Sequence, residues 1–163
     1  MDNTVVVRPV EEADADNLGR VHAACWHETY DHLLSASALS KLHPERLATL
    51  WRGWAKQGPE YRQSVALVDG EAVGFSGSGP SHDTDKPGQQ ELYFVYLLDA
   101  HHGTGIGQQL FDAAVDPGPS TLWVAADNPR AHGFYKRNGY VPDGHEKVEE
   151  VLGEQLHEVR LVR

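Results

Sequence analysis

Apolar and polar positions divide this chain into short strands and helices. Thr4 to Pro9 is rich in β-branched residues and predicts a first strand, which Arg8-Pro9 ends. From Glu11 the spacing turns helical. Leu18, Val21, Ala24 and Cys25 recur at three and four residues behind an acidic start at Asp14 and Asp16, so a helix is expected to about Tyr30. A second helical segment, Ser37 to about Gln57, is broken or bent near Pro44, with Leu47, Leu50, Trp51 and Trp54 as its buried stripe. Ser64 to Asp69 and Glu71 to Gly77 predict two strands joined by a hairpin turn at Asp69-Gly70. The second strand is expected to loosen into a loop near Ser78, and Pro80 to Gln89 reads as a polar surface loop.

The second half is more sharply punctuated. Glu91 to Leu97 alternates apolar and aromatic residues as a strand, then a turn dense in glycine opens a helix near Gly105. Ile106, Leu110, Phe111 and Ala114 form that helix's core face, and Pro117-Gly118-Pro119 forces it to stop by Asp116. Thr121 to Ala126 predicts a buried strand. Asn128 as N-cap, Pro129 at the first helical position and Asn138-Gly139 as the stop frame one more helix. Tyr140 to Glu146 and Leu156 to Val162 then predict an antiparallel pair joined by a polar loop around Gly153.

The glycine-dense turn carries the chemistry. A strand-to-helix junction leaves backbone N–H groups without intrachain partners, aimed at one point where the helix dipole adds positive charge. It is a phosphate seat. Gly103, Gly105 and Gly107 let the backbone turn and let a bulky anion approach it. The dinucleotide pattern GxGxxG fails at Gln108, and no Gly-Lys-Ser/Thr triplet supplies a P-loop. A glycine-rich turn into an ordinary helix is the competing reading.

Composition narrows the classes. The chain has 163 residues, 40% apolar and 23% charged, which suits a single soluble domain over residues 1–163. No apolar run reaches the roughly 18 residues of a membrane span and no basic, apolar leader is seen, so a cytoplasmic protein without membrane partners is expected. The net charge of −10 argues against nucleic acid as a partner. It favours a cationic amine, or simply keeps the protein soluble. Cys25 is the single cysteine and reads as a core or interface residue. His27-Glu28-Thr29-Tyr30-Asp31 misses HExxH at Asp31, and the ten histidines are scattered, so no metal is expected. Gly74-Phe75-Ser76-Gly77-Ser78 misses the nucleophile elbow at Ser78.

Two motifs resemble one family. His102-Gly103-Thr104-Gly105-Ile106-Gly107 after an apolar strand resembles the coenzyme A pyrophosphate loop of GNAT N-acetyltransferases, Arg/Gln-x-x-Gly-x-Gly/Ala, with His102 in the Arg/Gln place. Asn128-Pro129-Arg130-Ala131-His132-Gly133-Phe134-Tyr135-Lys136-Arg137-Asn138-Gly139-Tyr140 resembles the signature Asn-x-x-Ala-x-x-Phe-Tyr-x-x-x-Gly-Phe/Tyr. Helix punctuation and packing explain most of the second motif, but not Tyr135.

The resemblance implies an α/β (α+β) GNAT fold: a mixed, mostly antiparallel, twisted sheet of six to seven strands, flanked by helices and splayed at its central strands. It implies an acetyl-CoA-dependent N-acetyltransferase acting on a small-molecule or peptide primary amine, attacked directly in a ternary complex. The alternative is a non-catalytic acyl-CoA-binding sensor or interaction module. Coenzyme A would be held by Val95, Leu97, His102, Gly103, Thr104, Gly105, Ile106, Gly107, Asn128 and Tyr135. Trp26, Tyr30 and Tyr93 would face the acceptor, although Trp26 and Tyr30 also suit plain helix packing at i, i+4. An amine with a solution pKa of about 10 must lose a proton before it attacks, which suggests Glu91, in an acidic place that many relatives use. A thiolate of pKa about 8.5 leaves more easily with a proton offered, which suggests Tyr135. Strand edges at the C-terminus make a homodimer an expectation.

Overall fold

Local signals set most of the element boundaries. The structure, a computed structural model, describes residues 3–163. Its elements in order are β1 (Val5–Pro9), α1 (Ala15–Tyr30), α2 (Ala36–Leu39), α3 (Pro44–Trp54), β2 (Arg62–Val68), β3 (Glu71–Pro80), β4 (Gln90–Leu97), α4 (Ile106–Ala114), β5 (Ser120–Ala125), α5 (Pro129–Arg137), β6 (Val141–Val151) and β7 (Glu154–Val162). One seven-stranded sheet has the order β1-β2-β3-β4-β5-β7-β6. All pairings are antiparallel except β4 with β5. The mixed, mostly antiparallel architecture is therefore present.

Alternation along the strands gives the sheet two cores. Val65, Phe75, Phe94 and Tyr96 face α1 and α3, where Leu18 and Trp51 are fully buried. Ala66 and Val73 face α4 through Ile106 and Leu110. On the same side as α4, Leu122, Val124 and Leu161 pack with Phe111, Tyr135 and Tyr140. Cys25 is a buried core residue whose thiol is pushed up to about 12 by burial, which suits packing and not attack. Among the described residues no helix is long and apolar enough to cross a membrane.

The second helical segment is broken at Pro44 as expected: Pro44 holds His43 in an extended conformation (φ −103°, ψ 115°) and so begins α3 anew. Three expectations need correction. Leu50 is 49% exposed, not part of the stripe; Leu47 and Trp51 carry the contact. The strand from Glu71 does not loosen at Ser78 but runs to Pro80. Ser76 and Ser78 point inward there, donating to the carbonyls of Leu110 (2.9 Å) and Ala114 (2.6 Å), so buried serines serve α4 while looking like loop residues. Finally, β6 and β7 are longer than expected and meet at a tight turn with Leu152 (φ 53°) and Gly153 (φ 82°). The charged run of β6 hid it as a strand, since an edge strand tolerates such residues.

Candidate active site

The site begins with one irregularity in β4. Phe94 pairs with Gly77, but Leu92 pairs with Ser78, so Tyr93 is an extra residue in the ladder. Such a bulge bends its strand and increases the twist. Its aromatic neighbours need room: a Cβ on Gly77 would lie 2.4 Å from the Phe94 ring, and one on Gly79 would lie 2.7 Å from the Tyr93 hydroxyl. Parallel pairing with β5 covers only Gln90, Glu91 and Leu92, and ends where the bulge begins. Before that point the two strands are clamped, with the Gln90 side chain donating to Asp116 O (2.8 Å) and accepting from Asp116 N–H (3.0 Å). Beyond it they part.

The gap is a cleft of about 750 Å³, within the usual range for small-molecule sites. Leu98 N–H donates to Val73 O at 2.9 Å, which sets the phase of the β3–β4 ladder. In an antiparallel ladder that phase turns the N–H and C=O groups of Val95 and Leu97 away from β3, toward the cleft. The expected cofactor residues Val95, Leu97, His102, Gly103, Gly105 and Gly107 line the cleft, and across it stand Asn128 and Tyr135. Of the expected acceptor residues, Tyr30 and Tyr93 line it too.

At one end lies the helix start. Gly105 caps α4 in the left-handed region (φ 87°, ψ −6°) and offers no side-chain cap. The first intrahelical bond runs from Gln109 N–H to Gly105 O at 3.1 Å, leaving the N–H groups of Ile106, Gly107 and Gln108 without intrahelical partners. A Cβ on Gly107 would meet nothing closer than 3.9 Å, so the backbone there is open to a ligand. These donors fit a pyrophosphate, and the exposed strand amides fit an amide-bearing arm, so the residues present suit coenzyme A. Arg130 and Arg137 also line the cleft and were missed in the sequence; they share a helix face with Phe134, over whose ring the Arg137 guanidinium lies at 6.0 Å. Their spacing of two helical turns was the available signal.

Other expected residues stand outside the lining. Thr104 donates to His101 O and its hydroxyl approaches Ile106 N–H at 3.4 Å, while Ile106 itself is core. Trp26 lies behind Tyr30, ring centroids 4.7 Å apart, with its Nε1 buried and unpartnered among the described residues. His102, although it lines the cleft, turns its Nε2 to within 2.9 Å of Leu97 O, so the ring secures the end of β4. Glu91 is 7% exposed, and its Oε1 accepts from His82 N–H at 3.0 Å. Burial raises its carboxyl above the ordinary range, opposed by that bond and by the His82 charge, and reinforced by Asp83.

Tyr135 is buried on α5, and burial pushes its phenol far up. Opposite it lies a tyrosine pair that local pattern does not foretell. Tyr30 and Tyr96 share a hydroxyl–hydroxyl bond of 2.6 Å at the cleft wall, and burial raises Tyr30 to about 12. Asn128 caps α5 through its side chain, which accepts from Ala131 N–H at 3.3 Å. Asn128→Ala should cost about 1 kcal/mol of stability, read as a lower urea midpoint at unchanged slope; an unaltered midpoint would mean that the cap is idle.

A sequence model of the Acetyltransferase (GNAT) family matches residues 26–140, which include the bulge, the glycine loop and α5. The chain belongs to the GNAT family. It is an acetyltransferase, and its cleft sits where the sheet of that family opens. An uncharacterized N-acetyltransferase of Bacillus subtilis (strain 168), YuaI, is 27% identical over 164 residues, covering 96% of this chain and 91% of that one. Among solved structures, the PaiA N-acetyltransferase of Thermoplasma acidophilum in complex with coenzyme A superposes with a TM-score of 0.66 at 20% identity, covering 96% of this chain and 98% of that one. The ribosomal-protein-alanine N-acetyltransferase of Brucella melitensis reaches a TM-score of 0.70 at 19% identity, covering 97% and 98%. At such identities the structural likeness speaks to the GNAT fold alone.

Proposed function

We propose that this GNAT protein is an N-acetyltransferase that passes an acetyl group from acetyl-CoA to a primary amine by direct attack within a ternary complex. One observation carries the reading: the β4–β5 pairing stops at Leu92, and the strand amides it frees lie beside an uncapped helix start. The loop from Gly103 to Gly107 would hold the pyrophosphate, Val95 and Leu97 the amide-bearing arm, and Asn128 its far side. When bound, acetyl-CoA supplies the thioester carbonyl that the amine attacks.

The chain's own groups then divide the proton work. Glu91 Oε1 is engaged by the His82 N–H, so Oε2 is the oxygen left to take the ammonium proton, through a water because Glu91 does not line the cleft. Leu97 N–H, turned from β3, is placed to meet the charge that grows on the carbonyl oxygen. Tyr135 Oη holds the proton that the departing sulfur needs. Its buried phenol stays protonated at any working pH.

Thermal unfolding with acetyl-CoA, against NAD and ATP as controls, tests the cofactor. At a hundred times the dissociation constant a ligand of the folded state stabilises by about 2.7 kcal/mol, a rise of roughly 5 to 10 °C for a chain of this size. A flat response at millimolar acetyl-CoA would end this reading. Turnover across a panel of primary amines then separates the enzyme from a binding module.

A further inference from the structure

The loop between β3 and β4 is pinned from the far side of the sheet. Arg160, on β7, is 2% exposed and points toward that loop from between two apolar neighbours, Val159 and Leu161. Its guanidinium donates to both oxygens of Asp85 at 2.7 Å and to Asp83 at 3.4 Å, and is anchored behind by Asp143 at 2.8 Å. Trp123 Nε1 donates to the same Asp83 at 3.0 Å. Within the loop, Asp83 N–H donates to Ser81 Oγ at 3.1 Å, and Ser81 N–H donates to Gln89 O at 2.9 Å. The neighbouring His82 N–H is the donor that meets Glu91 Oε1. A continuous set of contacts thus joins Arg160 to Glu91 through a segment that has no secondary structure of its own.

We infer that Arg160 is a positioning residue for Glu91: by gripping Asp85 and Asp83 it holds the 81–89 loop so that the His82 N–H stays on the Glu91 carboxylate. A bidentate guanidinium–carboxylate pair fixes direction as well as distance. A loop held at Asp83 and Asp85 has little freedom left at His82. Glu91 is otherwise faced by His82 and Asp83 from the loop, by Tyr93 on its own strand, and by the half-buried Glu158 on β7. Two of these four are acids. Arg160 also pairs with Asp83, the loop acid that faces Glu91. This assignment rests on Glu91 as the base, and its test is built to fail separately from that reading.

Asp85 is half exposed on the loop side, so Asp85→Ala removes the bidentate part of the grip while Arg160 keeps Asp143 and its longer contact to Asp83. Amide hydrogen exchange at His82 should quicken at least about tenfold, and kcat/KM should fall roughly tenfold, the span expected for coupled neighbours. Combined with Glu91→Gln, Asp85→Ala should cost nothing further, because the group it acts through is gone. Arg160→Lys, which keeps the charge and loses the fork, should give the same pattern and serves if Asp85→Ala perturbs folding. Fully additive losses, or an unchanged His82 exchange rate, would overturn the assignment. If Glu91→Gln alone leaves turnover intact, the base reading falls, and the His82 exchange rate still decides whether Arg160 holds the loop.

Discussion

Tyr135→Phe should lower kcat by about a hundred to ten thousandfold while leaving the affinity for acetyl-CoA nearly unchanged, the span expected for loss of a general acid. The substitution removes one oxygen and little else. The Tyr135 ring packs edge-on against Phe134 at 5.5 Å and Tyr140 at 5.9 Å, contacts that phenylalanine keeps. Burial, together with the neighbouring Tyr30 and Tyr140 hydroxyls, holds the phenol protonated, so Tyr135 can give a proton and cannot start as a base. Single-turnover rates on both proteins make the comparison, with acetyl-CoA binding measured beside them. An equal kcat would remove Tyr135 from the chemistry and return it to packing.

Glu91→Gln should be as damaging, a loss of about a hundred to ten thousandfold in kcat/KM, the usual worth of a general base. Glutamine still accepts from the His82 N–H, so the loop stays in place and only basicity is lost. In the parent enzyme the acid limb of kcat/KM should lie above the ordinary carboxylate range, because burial raises Glu91. The sign follows from the role: a base works when ionised, so activity rises with pH through that raised value and is lost below it. The variant should show no such limb. A limb that persists unmoved in Glu91→Gln would place the base elsewhere, and Glu158, also raised by burial, would be the next carboxylate to substitute.

The sequence made the cleft's two walls readable for physical reasons. Glycines in a strand-to-helix turn and an Asn-Pro helix start are backbone devices, and these leave a mark in a single sequence. Asp69 and Gly70 take positive φ at the hairpin foretold for them. Long-range packing leaves no such mark. That Tyr96 would meet Tyr30 across 66 residues, or that Arg160 would reach Asp85 across 75, follows from sheet order, which local pattern does not encode. The bulge at Tyr93 was equally hidden, since one extra residue changes no composition. Its trace was Gly77 and Gly79, which read as loosening and instead clear space for aromatic rings. Ser76 and Ser78 misled in the same way: their polarity suggests a surface, while their hydroxyls are spent on helix carbonyls.

The parting of β4 from β5 gives this protein an unfinished seam in its own interior. Natural sheets guard their outermost strands with charge, proline or a covering helix, because free main-chain donors and acceptors invite any passing extended chain to pair with them. Here the free groups belong to a central strand, the N–H and C=O of Val95 and the N–H of Leu97, and no lysine or proline stands among them to ward off such pairing. Their safeguard is their place: the half-buried groups lie inside the cleft and not on the sheet's outer margin. A ligand that mends the seam acts as the missing strand. Occupancy and colloidal solubility are then linked, and the ligand-bound form is the one with no open ladder to offer a neighbour.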